Sequence, residues 1–159
     1  MISGTLSKAD YLDAQRLHRK AFVRRQSLIL AAFAVVGLII VWAGYFLPGA
    51  ILVGAGVGGA IGELVSSKLL LPRRHTRIFH QQASLRTHFT YSWDDECIHV
   101  VAETGQAKRP WRDYVKSKES DQVFLLYHSD VMFEMLPKAW FQSPEQVDAF
   151  RRLASQVGT

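Results

Sequence analysis

Leu28–Leu47 reads LILAAFAVVGLIIVWAGYFL, twenty consecutive residues without a charge. At a rise of about 1.5 Å per residue a helix of that length covers about 30 Å, the thickness of a bilayer's hydrocarbon core. A second apolar run, Ala50–Leu71, follows after only Pro48-Gly49. The pair reads as two membrane helices joined by a tight turn at Pro48-Gly49. Two other readings compete with this one. A cleaved leader would need a shorter apolar region nearer the start, with no second span behind it. A buried hairpin in a soluble protein would need a polar face that this run lacks.

The formal charge of +5 divides unevenly along the 159 residues. Residues 1–77 carry a net +7, and residues 78–159 a net −2. Arg16, Arg19, Lys20, Arg24 and Arg25 precede the first run, and Lys68, Arg73, Arg74 and Arg77 close the second. The turn carries no charge. By the positive-inside rule both termini are expected in the cytoplasm of an inner-membrane, multi-pass protein. Trp42, Tyr45 and Phe46 then belong at the far interface. The acidic soluble part excludes a nucleic-acid-binding surface, which needs a concentrated basic face. The single cysteine, Cys97, can form no intramolecular disulfide. It reads as a small residue in a strand.

Ser7–Gln26 has apolar residues at helical spacing (Tyr11, Ala14, Leu17, Ala21, Phe22) and basic residues elsewhere. Ser7 and Asp10 make a capping-box start. The segment is expected to lie on lipid headgroups or to extend the span inward. Beyond Arg77 the period changes. Thr87–Trp93, THFTYSW, alternates with Phe89, Tyr91 and Trp93 on one face. Cys97–Glu103, the weaker Ala107–Trp111 and Asp113–Lys118, then Val123–His128 and Val131–Leu136 read as further strands. Turns are expected at Asp94-Asp95-Glu96, Thr104-Gly105-Gln106, Glu119-Ser120-Asp121 and Ser129-Asp130. VFLLYH is the most apolar of these strands. Ser143-Pro144-Glu145-Gln146 opens a final helix whose stripe is Val147, Phe150, Ala154 and Val157.

The expected architecture is therefore a membrane α-helical hairpin plus a small α+β domain. That domain is an antiparallel meander, possible as a pleckstrin-homology-like roll, closed by a C-terminal helix. Its segments are 1–27, a basic amphipathic helix; 28–71, the hairpin; 72–86, a basic linker; and 87–159, a cytoplasmic domain.

Trp111-Arg112-Asp113-Tyr114 with Lys116, the strand Phe124-Leu125-Leu126-Tyr127, and Leu136-Pro137-Lys138-Ala139-Trp140-Phe141 ahead of the capped helix with Phe150 are specific together. On these residues, from about Phe89 to Leu153, the chain resembles the YcxB-like domain of bacterial membrane proteins. Two membrane helices ahead of the domain fit that family's layout. The resemblance implies a fold and a location. It transfers no activity and no site.

VGAGVGGAIG (53–62) contains G-x-G-x-x-G. A nucleotide fold needs a strand before it and a carboxylate about twenty residues on, and residues 74–82 hold none. No nucleotide is expected. Gly54, Gly58 and Gly62 instead form a small-xxx-small stripe for helix packing, against the first span or against a second copy. Glu63, with Ser66 and Ser67 one turn on, lies about 20 Å from the turn by helical rise. Glu63 and Ser67 are candidates for an intramembrane polar site. The alternatives are a hydrogen-bonded carboxylate or one reached by a basic side chain. None of the six histidines pairs with another at i+3 or i+4, and no metal site and no cofactor are expected. His128-Ser129-Asp130 reads as a turn, since consecutive residues cannot converge as a triad. Lys138 and Trp140 are the candidate contact for a partner or lipid, with Trp111 and Phe141 as core anchors. The functional expectation is a non-enzymatic, membrane-tethered interaction or sensing module. The alternative is a small oligomeric transport or channel-like protein using the Gly54/Gly58/Gly62 face and Glu63.

Overall fold

The computed structural model describes residues 1–103 and 105–158. It divides into two compact units, Met1–His18 with His75–Thr159 and, separately, Arg19–Arg74.

In the first unit, β1 (Ile2–Thr5) pairs antiparallel with β2 (His88–Trp93), then β3 (Cys97–Ala102) and β4 (Gly105–Pro110). A second sheet holds β5 (Lys116–Glu119), β6 (Val123–Tyr127) and β7 (Phe133–Pro137) in that order. The expected single meander is thus broken between β4 and β5. A 3₁₀ turn, Trp111–Asp113, replaces the start of the expected Asp113–Lys118 strand. The turn expected at Thr104-Gly105-Gln106 includes Thr104, which lies outside the described residues. Helix α4 (Pro144–Ala154) closes the unit. Ser143 Oγ accepts from the Gln146 N–H at its start, and Gln146 Oε1 accepts from the Gln142 N–H. Phe150 is fully buried at the centre, with Trp93, Trp111, Phe124 and Phe141 rings 4.9–5.7 Å away. Trp111 and Phe141 are therefore core residues, as the sequence suggested.

All five residues of β6 are buried, because the strand is covered on both faces. Phe124 and Leu126 point into the main core between the sheets and α4. Val123, Leu125 and Tyr127 meet Ala14 and Leu17. Those two belong to α1 (Lys8–Trp42), which starts at the reciprocal Ser7–Asp10 cap. His18 stacks on Tyr127 and Phe133, and Ser120 Oγ donates to Asp13 at 2.6 Å. Helix α1 is continuous from Lys8 to Trp42, so of the two arrangements expected for Ser7–Gln26 it is the inward extension of the span that the helix follows. The apolar face of Tyr11, Ala14 and Leu17 is buried in the first unit, and β1, not foreseen, supplies that unit's edge strand.

The second unit is the hairpin. Helix α1 runs unbroken to Trp42, and α2 spans Phe46–Val65. Both are long and apolar enough to span a membrane. The turn falls at Ala43-Gly44-Tyr45, ahead of the expected Pro48-Gly49. Gly44 has φ +93°, its N–H bonds Val41 O, and the Tyr45 N–H bonds Ile40 O. That is a Schellman closure, which needs the left-handed residue a glycine supplies. Pro48 then fits the first turn of α2, where a missing N–H costs nothing. The expected linker 72–86 is helical through Gln81, as α3 (Leu71–Gln81). Pro72 cannot donate to Lys68 O and its ring clashes with that carbonyl. Residues Ser66–Leu70 accordingly widen to π geometry, with the Leu71 N–H on Ser66 O.

Uncovering Val123, Leu125 and Tyr127 exposes three side chains worth about 1.5–3 kcal/mol each when buried. Residues 78–159 alone are therefore expected to be insoluble or molten. Residues 1–18 joined by a flexible Gly/Ser linker to 75–159 are expected to fold, as read by amide dispersion and a cooperative melt. A well-folded 78–159 fragment would contradict the two-faced burial of β6.

Candidate functional site

The glycine stripe was expected to fit a neighbouring helix, and its place is specific. A Cβ built on Gly54, Gly58 or Gly62 meets nothing within 4 Å. These three are not the glycines that pack α1 on α2. That contact is made by Gly37, Gly49, Gly56 and Gly59. A Cβ on Gly49 would meet Gly37 O at 2.6 Å, and one on Gly56 would meet Leu30 O at 2.7 Å. Spacing marks a stripe but not its direction, and the first-span alternative is excluded for Gly54, Gly58 and Gly62.

Glu63 is held within the hairpin. Its carboxylate lies 3.9 Å from Arg19 Nη2, and the side chain is 12% exposed. The antiparallel contacts Gly49–Gly37, Gly56–Ala34 and Gly59–Leu30 run on, one turn later, to the level of Gln26. That is just outside the charge-free run. Ser67 does not reach Glu63; its hydroxyl donates to Leu64 O at 3.2 Å. The basic-side-chain alternative describes Glu63, and the serine-bonded one does not describe Ser67.

Lys138 and Trp140 are both engaged inside the domain. A 3₁₀ turn, Lys138–Trp140, follows β7 because Pro137 ends the strand. Lys138 Nζ lies 2.5 Å from Glu119 Oε1 and 4.9 Å from the Phe124 ring centre. Arg151 grips the same carboxylate through Nε and Nη2, and pairs with Asp148. Trp140 covers β1: a Cβ on Gly4 would meet its indole at 2.3 Å, and the Tyr91 ring lies tilted to it with centroids 6.2 Å apart. The shallow groove beside Lys138 is lined by Phe141, Ser143, Val147, Asp148 and Arg151. Its two cations are already neutralised by Glu119 and Asp148, so it offers no net positive site.

Two polar clusters were not foreseen. The first joins the two sheets. Arg109 on β4 pairs with Glu134 on β7 and donates to His128 Nε2. His128 Nε2 also lies 3.1 Å from Glu134 Oε1, and Tyr114 Oη donates to Glu134 Oε2 at 3.1 Å. Arg109 can only donate, so Nε2 accepts from it in the neutral ring and can donate to Glu134 only in the other arrangement. Burial and the neighbouring Glu134 charge push the Tyr114 phenol well above its usual value. The triad reading of His128-Ser129-Asp130 fails as expected: His128 faces Glu134, while Asp130 pairs with Lys116 at 2.5 Å.

The second cluster is at the β2–β3 turn. Asp94, Cys97 and His99 bring one carboxylate oxygen, the thiol and Nε2 within 4.8 Å of one another. Asp94 Oδ1 accepts from the Glu96 and Cys97 N–H groups at 2.9 and 2.8 Å, and these bonds hold its carboxyl down to about 2. Histidine pairing at helical spacing does not mark this group, which holds a single histidine. The sequence signal is Asp94-x-x-Cys97-x-His99: Asp94 lies in the turn before β3, and Cys97 and His99, two apart, share one face of that strand.

Glu119 joins the 3₁₀ turn to α4. Its hydrogen bonds from Arg151 and Lys138 hold its carboxyl below the ordinary value. A folded-state value below the unfolded one stabilises the fold above the unfolded pKa of about 4.3, and the benefit fades as pH falls through the folded value. Glu119→Gln is expected to lower the Tm of the linked 1–18/75–159 domain by a few degrees at pH 7, for a loss on the order of 1 kcal/mol. The gap from wild type should close on acidification below about pH 4. An equal gap at both pH values would show that the carboxylate's charge is not what Arg151 and Lys138 read.

Neither a curated protein nor a solved structure matches the chain. Residues 93–154, from the end of β2 through α4, match the family model described as YcxB-like protein. Residues 93–154 are thus similar to the YcxB-like family, in a chain that also has two helices long and apolar enough to span a membrane.

Proposed function

We propose that this is an inner-membrane, multi-pass protein without enzymatic activity, a tethered interaction or sensing module working through a cytoplasmic domain. One observation carries the reading: two helices with outward apolar side chains accompany a domain that has a complete core of its own. Leu28, Ile29, Val35, Val36, Leu38 and Ile39 of α1 are all exposed, which suits lipid as their solvent. Trp42, at 90% exposed, and Tyr45 flank the turn and suit the far interface. The basic residues before Leu28 and after Ser67 favour both termini in the cytoplasm. The four-stranded and three-stranded sheets closed by α4 support a pleckstrin-homology-like roll for the domain. Its partner is a protein, and lipid surrounds the hairpin. No nucleic acid or nucleotide is involved.

A second reading, self-association, is favoured by the open Gly54/Gly58/Gly62 stripe. A bare groove on a lipid-facing helix admits the backbone of a second copy. Transport through Glu63 is less favoured, because Arg19 lies within ion-pair range of its carboxylate.

Reporter fusions at each terminus are expected to be active only on the cytoplasmic side, and the full chain to need detergent. A full chain soluble as a monomer without detergent would overturn the tethered reading. Gly58→Leu should reduce crosslinking between copies in membranes and leave the hairpin folded. Gly56→Leu should disrupt the hairpin itself, by about 1–3 kcal/mol of overpacking or more. Equal crosslinking of wild type and Gly58→Leu would remove the glycine stripe as the interface.

A further inference from the structure

We propose that Asp94, Cys97 and His99 form a mononuclear site for a first-row divalent ion of the zinc class. The site lies within the YcxB-like domain, and the proposal stands apart from membrane tethering.

Geometry carries it. Asp94 Oδ2 is 3.5 Å from Cys97 Sγ and 3.6 Å from His99 Nε2, and Sγ is 3.6 Å from Nε2. Zinc bonds of about 2.3 Å to sulfur and about 2.0–2.2 Å to nitrogen and oxygen, at tetrahedral angles, place ligand atoms about 3.3–3.6 Å apart. The three atoms therefore outline one face of such a tetrahedron. Hard, intermediate and soft donors converge there, a mixture that suits zinc and its neighbours better than magnesium or calcium.

The backbone holds this face in place. Asp94 Oδ1 accepts from two backbone N–H groups and lies 3.3 Å from the Cys97 thiol, while Oδ2 lies 3.5 Å from the thiol and 3.6 Å from the imidazole. The turn is tied from behind: Trp111 Nε1 donates to Asp94 O at 2.8 Å, and the Asp94 N–H donates to Cys97 O. Ile98, between the two strand ligands, is fully buried in the main core. Cys97 and His99 must therefore project from the opposite face.

Charge and access are also suitable. A thiolate, a carboxylate and a neutral imidazole carry two negative charges, which balance a divalent ion. Binding releases the thiol proton to solvent. Cys97 is buried, while the Asp94 and His99 side chains are 57% and 37% exposed, so an ion enters from their side. The fourth vertex faces outward, open to water or an added ligand. One group opposes binding. Lys108 stands opposite His99 in the β3–β4 register, and its ammonium is the competing cation.

The test uses the full chain in detergent, chelator-stripped and kept reduced, titrated with Co²⁺. The expected result is one ion per chain with a near-ultraviolet thiolate-to-cobalt charge-transfer band and the intense visible bands of a tetrahedral centre, displaced by Zn²⁺. Cys97→Ser and Cys97→Ala should both lose the charge-transfer band. Asp94→Asn and His99→Ala should each weaken binding by more than the roughly 10–100-fold typical of losing a ligand's supporting partner. Lys108→Gln should tighten it. Circular dichroism of the metal-free variants should match wild type, which separates ligand loss from misfolding. Absence of the band in wild type would overturn the site. So would a band whose affinity is unchanged in both Asp94→Asn and His99→Ala, because the thiol alone would then be binding adventitiously.

Discussion

The domain depends on the burial of β6 from both sides. A strand with one wet face needs only one apolar set, but Val123–Tyr127 is apolar at every position. Its even-numbered side chains close the core with α4 and the first sheet. Its odd-numbered side chains need a second cover, which comes from the opening turns of α1. Lys118 Nζ donates to His18 O, and the Tyr127 hydroxyl meets His18 Nδ1 at 3.0 Å, so the cover is held by polar contacts at its rim as well. With the Tyr127 phenol pushed up to about 12 by burial, it remains a neutral partner for the imidazole across the physiological range.

Local signals in the sequence were readable where the physics is local. The alternation of THFTYSW, the Ser7–Asp10 box and the Ser143–Gln146 cap each act within a few residues, and each marks the element that forms. The apolarity of VFLLYH announced an unusual strand. Its partner, more than a hundred residues earlier, leaves no mark within that segment. Residues Ile2–Thr5 are likewise too short and too plain to declare themselves a strand without Phe89 and Tyr91 beside them. The amphipathic face of Tyr11, Ala14 and Leu17 was legible as apolar, but periodicity does not say whether lipid or protein covers it.

The hairpin shows the same limit with glycine. Six glycines lie in α2, and helical spacing sorts them into stripes without saying which stripe meets α1. Contact is decided by where the turn falls. The Schellman closure at Gly44 starts α2 at Phe46, and that phase turns Gly49 and Gly56 inward and Gly54, Gly58 and Gly62 outward. Lys138 and Trp140 looked available because their neighbours are surface-like; Glu119 and Gly4, which engage them, are distant in sequence. Asp94-x-x-Cys97-x-His99 carries no helical signature, because a strand places ligands on one face two apart.

The interruption of the domain by the hairpin also sets an order of synthesis. Strand β1 and the start of α1 leave the ribosome first, yet β2 follows only after both apolar helices are complete. The cover for β6 is likewise made more than a hundred residues before β6 itself. During translation at about 5–20 residues per second, this leading segment waits several seconds without a partner, its Leu6, Tyr11, Ala14 and Leu17 face unclaimed. The domain can close only after both apolar helices have been synthesised. Synthesis therefore has a fixed sequence, hairpin before the rest of the domain, and until the domain closes the early segment carries apolar surface that no later strand yet covers.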